Sequence, residues 1–77
     1  MKNINYSAIF QPEPEGGYTV IVPSLPGCIS YGKTIEEARE MIQDAISLYL
    51  KSLQSHRDLI PKETFVPFLS NIMVKSI

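Results

Sequence analysis

Between Pro23 and Ala38 the sequence reads PSLPGCISYGKTIEEA, and this stretch leaves room for one short strand and nothing longer. Pro26 presets φ, and Gly27 can take the left-handed backbone that a type II turn requires at its second corner. Further on, Thr34 precedes Glu37 by three positions. That is a T-x-x-E capping box, in which two side chains satisfy the first unpaired N–H groups of a helix, and Glu36 adds a second carboxylate to its positive first turn. With a turn on one side and a helix start on the other, CISYG, residues 28 to 32, is confined to a short strand that Gly32 releases.

The flanking segments extend the pattern. Over residues 3 to 11, Ile4, Tyr6, Ala8 and Phe10 alternate with Asn5, Ser7 and Gln11, interrupted only by Ile9, which predicts a half-buried strand. PEPEGG, 12 to 17, supplies prolines that cannot donate to a ladder and glycines that tolerate positive φ, so it predicts a hairpin bend. YTVIV, 18 to 22, is the return strand. Stepped at about 100° per residue, Ile35, Ala38, Ile42, Ala45, Ile46, Tyr49 and Leu53 share one stripe of a helix over roughly 34 to 55. Met41 and Leu48 on its shoulder are expected to widen the buried arc. Residues 56 to 67 have no clean period and carry Pro61 and Pro67, so they form a connection. Ile72 and Val74 alternating against Met73 and Lys75 predict a final strand over 71 to 77.

The expected fold is therefore α+β, in the order β-β-β-α-β: a three-stranded antiparallel meander, one helix packed on the sheet and a final strand, all in a single domain over 1–77. So short a chain buries a thin core, which usually needs a supplement from disulfides, metals or association. One cysteine excludes an internal disulfide, and one histidine leaves little for a metal cluster, so self-association as a dimer or tetramer is the expected supplement. Seven Lys plus Arg against eight Asp plus Glu, with no basic run, do not suit electrostatic nucleic-acid binding. The N-terminus lacks the apolar core of a signal peptide, and no stretch has the roughly 18 apolar residues of a membrane span, so a cytoplasmic protein is expected.

Catalytic readings fare poorly. A nucleophilic Cys28 would need a base, and His56 lies at the far end of the helix, on the order of 30 Å from its start at ~1.5 Å per residue. Cys28 is expected to pack as a small hydrophobe. Two-metal nuclease chemistry needs converging carboxylates. The first strand has none, Glu13 and Glu15 fall in the bend, and Glu36, Glu37, Glu40 and Asp44 fall on the solvent side of the helix. The glycines do not form a phosphate cradle. The seven aromatics, Tyr6, Phe10, Tyr18, Tyr31, Tyr49, Phe65 and Phe68, mostly occupy expected core positions and are not interleaved with basic residues. No enzyme, cofactor or metal site is expected.

The run GYTVIVPSLPGCISYGKTIEEA resembles the HicB-type antitoxins, whose pattern is roughly G-Y-x-V-x-x-P-x-L-P-G-C-x-S-x-G-x-T-x-E-E-A. Gly17, Tyr18, Val20, Pro23, Leu25, Pro26, Gly27, Cys28, Ser30, Gly32, Thr34, Glu36, Glu37 and Ala38 all match in register, and the likeness covers about residues 4 to 55. It implies a partial ribonuclease-H-like fold without nuclease activity. It also implies a partner, a HicA-like messenger-RNA endonuclease toxin, inhibited by covering its active site. Many members carry a C-terminal DNA-binding segment. This chain resembles a short form, in which no second helix is available to enter a groove, so direct DNA binding is not expected. The sheet edges and the Pro-rich loop, with Glu13 and Glu15 facing a basic nuclease, are the expected contact surfaces. The alternative is a solitary structural or regulatory oligomer that binds a small molecule or another protein without a toxin; a ribonuclease-H-like enzyme ranks third.

Overall fold

The computed structural model describes residues 4–63 and 67–76. Three strands, β1 (Ile9–Pro12), β2 (Tyr18–Ile21) and β3 (Ile29–Gly32), precede one helix, α1 (Ile35–Ser55). The sheet runs β1-β2-β3 with both pairings antiparallel, so sequence neighbours are spatial neighbours throughout. In the first hairpin the Glu13 N–H donates to the Gly17 carbonyl at 3.0 Å, and the Gly16 N–H to the Glu13 carbonyl at 2.9 Å. Gly16 and Gly17 take φ of 105° and 80°, which is where the bend needs glycine.

The second connection consists of two successive turns. The Leu25 N–H donates to the Val22 carbonyl at 3.0 Å and the Cys28 N–H to the Leu25 carbonyl at 2.9 Å, while the Val22 N–H closes the loop on the Cys28 carbonyl at 3.2 Å. Pro23 and Pro26 each occupy the first corner of a turn, where a fixed φ is favourable, and Gly27 at φ 85° is the second corner of the latter. The turn chemistry read from the sequence is thus the turn chemistry formed.

Alternation divides the sheet into two faces. Tyr18, Val20 and Val22 point toward α1, and Val20, Val22, Leu25, Cys28, Ala38 and Ile42 make the buried core, with Tyr6, Ala8, Phe10, Ala45, Ile46, Tyr49 and Leu50 packed around it. The helix lies over β3 and β2. This offset corrects the expected apolar stripe. Ala38, Ile42, Ala45, Ile46 and Tyr49 face inward as expected, joined by Leu50, but Ile35 is exposed. Met41 and Leu48 do not widen the core either: Leu48 is 67% exposed, because the sheet does not extend beneath that shoulder.

Two strand expectations also change. The first strand forms over Ile9–Pro12 rather than 3 to 11; residues 4–8 continue from it without ladder pairing, and residue 3 lies outside the described residues. Pro12 itself closes the strand opposite Tyr18, on an edge where a missing N–H costs no ladder bond. No strand forms over 71–76, and Ile77 lies outside the described residues. An extended segment becomes a strand only where a neighbour offers unpaired N–H and C=O groups, and residues 67–76 have no such neighbour among the described residues. Phe68 is accordingly exposed instead of buried, while Phe65 lies outside the described residues.

Candidate functional site

The residues matched to the family pattern are spread along α1, from Gly32 against Ala38 in its first turn to Pro26 beside Tyr49 in its second half. Leu25 is fully buried, and its turn is tied to the helix by the Tyr49 hydroxyl, which donates to the Pro26 carbonyl at 2.9 Å. Cys28, 3% exposed, sits beneath the same loop, and burial pushes its thiol pKa up. A buried thiol that resists ionisation is a poor nucleophile. His56 is exposed at the other end of α1, with its Nδ1 2.8 Å from the Ser52 carbonyl.

Thr34 caps the helix as expected: the Glu37 N–H donates to its Oγ1 at 3.0 Å. The return bond differs in one detail, because the Glu37 carboxylate accepts from the Lys33 N–H at 3.0 Å rather than from that of Thr34. Gly32 has a reason the sequence does not reveal. A Cβ there would fall on the backbone of Ala38 and within 2.8 Å of the Glu37 carbonyl carbon, so its hydrogen lets β3 run directly under the first turn of α1. Gly17 is similar, since a Cβ there would strike the Tyr31 ring, whose hydroxyl donates to the Gly16 carbonyl at 2.9 Å. Tyr18 lies beside Gly32 in the ladder. Gly17, Pro26, Gly27, Gly32, Thr34 and Glu37 are each engaged in a turn, a helix cap or a close backbone approach.

Glu13 and Glu15 lie in the hairpin bend, where Glu13 is half-buried and Glu15 exposed. Glu36, Glu37, Glu40 and Asp44 are exposed on α1, and among the described residues no three His, Cys, Asp or Glu side chains gather as a metal would require.

Two features escape the sequence reading. The first is the sheet face turned away from α1. The register sets Ile9 opposite Ile21 and Ile21 opposite Ile29, a cross-strand row of three isoleucines at 37% to 57% exposure, with Tyr31 beside it. Its signal was present: Ile9 breaks the alternation of the first strand because the outer face is apolar too. The second is Glu63. Its carboxylate accepts from the Ser7 N–H at 2.6 Å, the Ser7 hydroxyl at 2.7 Å and the Ser24 hydroxyl at 3.3 Å. These bonds, the Ser7 N–H foremost, hold the Glu63 pKa below the usual carboxylate range. Next to it the Tyr6 hydroxyl donates to the Pro61 carbonyl at 2.6 Å, and burial followed by the Glu63 charge raises the Tyr6 pKa. Residues 61 to 63 are thereby fastened alongside residues 6 and 7. Nothing local marks partners so distant in the chain.

Among the described residues no helix is long and apolar enough to cross a membrane. A model of the HicB-like antitoxin of bacterial toxin–antitoxin systems matches residues 6–72. A UPF0150 protein of Synechocystis sp. is 40% identical over 70 residues, covering 91% of this chain and 89% of that protein. A UPF0150 protein of Thermoplasma acidophilum is 42% identical over 60 residues, covering 78% and 87%. Antitoxin HicB 1 of Photorhabdus laumondii is 44% identical over 46 residues, which span 60% of this chain and 30% of that longer protein. The match includes the turns, the capped helix start and the three strands described above, and the chain belongs to the HicB-like antitoxin family.

Proposed function

We propose that this protein is an antitoxin that binds a HicA-type messenger-RNA endonuclease in the cytoplasm and inhibits it by covering its active site, without catalysis of its own. The observation that carries the reading is the exposed isoleucine row on the sheet of a chain that belongs to the HicB-like antitoxin family. A soluble domain leaves contiguous apolar surface open chiefly where a partner covers it. Ile21 and Ile29 form the centre of that docking surface, with Tyr31 and the acidic bend of Glu13 and Glu15 at its rim. We read the β-β-β-α order as the front part of a ribonuclease-H-like fold, and we include self-association as a dimer or tetramer in the proposal. Glu63, Ser7 and Ser24 serve the scaffold.

The test is titration of the purified chain into the HicA-type endonuclease encoded beside its gene, reading complex formation and messenger-RNA cleavage. Binding with loss of cleavage is expected. Ile21→Glu with Ile29→Glu should abolish both, because two charges would be desolvated in the interface, whereas Leu48→Glu on the helix should change neither. Failure of the wild-type chain to bind any HicA-like protein overturns the reading in favour of a solitary oligomer.

A further inference from the structure

Residues 67–76 form an arm that the other described residues do not cover. Phe68, Leu69, Ile72, Met73 and Val74 are 77% to 97% exposed. The arm leaves the body beside Ser7 to Phe10, where Pro67, Phe68 and Leu69 help to line a hollow of about 420 Å³. From there it projects outward. The molecule measures 51 × 28 × 20 Å, with a radius of gyration of 15.0 Å, against about 11–12 Å for a compact chain of this length. Five large apolar side chains held in water on a projecting segment require a cover from outside.

The same chain carries an open hollow of mixed lining, with apolar walls that could receive such side chains. Because α1 is offset over β3 and β2, the side of β1 that faces the helix is left open. The result is a hollow of about 620 Å³ with Ala8, Phe10, Ile42 and Ile46 among its apolar walls and with Arg39 and Gln43 also lining it. The chain's own arm does not line it. β1 is also an edge strand of the sheet among the described residues, and an edge is where another extended segment can add.

We infer that residues 67–76 are an exchange arm: in a twofold dimer, the arm of each copy crosses to the other and fills the hollow between β1 and α1 there. Exchange covers both exposed features at once, using only surfaces that this chain supplies. It also reaches a workable size. A stable interface takes about 20–30 residues a side, and an arm of about ten residues given, together with a receiving strip of similar length, meets the lower bound. The arm then has the neighbour it lacks in the single chain, so the strand read from the alternation of Ile72 and Val74 forms on assembly. This inference rests on the self-association reading and is independent of toxin binding.

The test uses the full chain. Light scattering after size-exclusion chromatography at micromolar concentration should give a dimer, or a tetramer built from dimers. Ile72→Asp with Val74→Asp should shift it to monomer while leaving the circular dichroism of the body unchanged, since both side chains are exposed in the single chain. Mixing Ile72→Cys protein with Ser47→Cys protein under mild oxidation should give a mixed disulfide linking the arm of one copy to the rim of the hollow of another. Ile72→Cys mixed with Leu48→Cys should link at least tenfold less. A wild-type monomer overturns both self-association and the arm. An oligomer that survives the Asp substitutions, or that links equally to positions 47 and 48, overturns the arm and leaves self-association standing.

Discussion

Leu25→Ala tests whether the turn before β3 is a structural anchor. Leu25 is fully buried and is one of the largest side chains in a core of six residues. Truncation to Ala removes three carbons. At ~0.8 kcal/mol each this is about 2.4 kcal/mol of transfer free energy, and the unfilled space brings the loss to about 2–5 kcal/mol. A domain of this length has on the order of 4–12 kcal/mol in all, so one side chain carries a large share. The midpoint of thermal unfolding should fall by about 4–8 °C per kcal/mol, hence by at least ~10 °C. Urea unfolding followed by circular dichroism gives the free energy directly. Protein concentration must be held fixed, because association raises apparent stability. The matched control is Leu48→Ala, the same truncation at a site 67% exposed, which should change stability by no more than about 0.5 kcal/mol. A Leu25→Ala loss below about 1 kcal/mol, or equal to that of Leu48→Ala, would refute the reasoning.

Gly32→Ala should cost about 1–3 kcal/mol, because the new methyl meets backbone that must move rather than a side chain that can turn aside; a neutral result in the same urea assay would contradict the close approach of β3 to α1. For Glu63, a folded pKa below the unfolded value means that its contribution is complete above about pH 4.3 and is lost as pH falls through the folded pKa. Glu63→Gln should therefore flatten the acid limb of the stability profile below ~pH 4, and an unchanged limb would show that the Ser7 bonds add nothing. Cys28 should alkylate at neutral pH much more slowly in the native protein than in denaturant, as mass spectrometry would record; a free-thiol rate in the native state would place it at the surface.

The parts of the fold legible in the sequence are those whose causes are local. Pro26, Gly27, Thr34 and Glu37 act on backbone within four residues of themselves, so the type II turn and the helix start follow from spacing alone. The offset of α1 does not, because it depends on which strand lies beneath each turn, and so the exposure of Met41, Leu48 and Ile35 was hidden. Gly32 was visible as punctuation but not as a packing contact, since Ala38 approaches it only once the helix turns back over the sheet. Glu63 was hidden for the same reason in stronger form, with its partners Ser7 and Ser24 lying 56 and 39 residues away. The isoleucine row lay between these extremes. Ile9 interrupted the alternation of the first strand and Ile21 sat in the apolar run YTVIV, and only the register shows that they align with Ile29.

The sheet order, in which each strand pairs with its neighbour in sequence, has a kinetic consequence. Every pairing closes a short loop, and α1 follows directly on β3, so little chain entropy is lost before native contacts begin to compensate. Such a chain should fold in milliseconds or less, as a unimolecular step, as soon as Ser55 has left the ribosome. For the inhibition proposed above, this leaves no waiting period between synthesis and readiness. Its response time is then set by the rate of encounter, and hence by copy number in the cell.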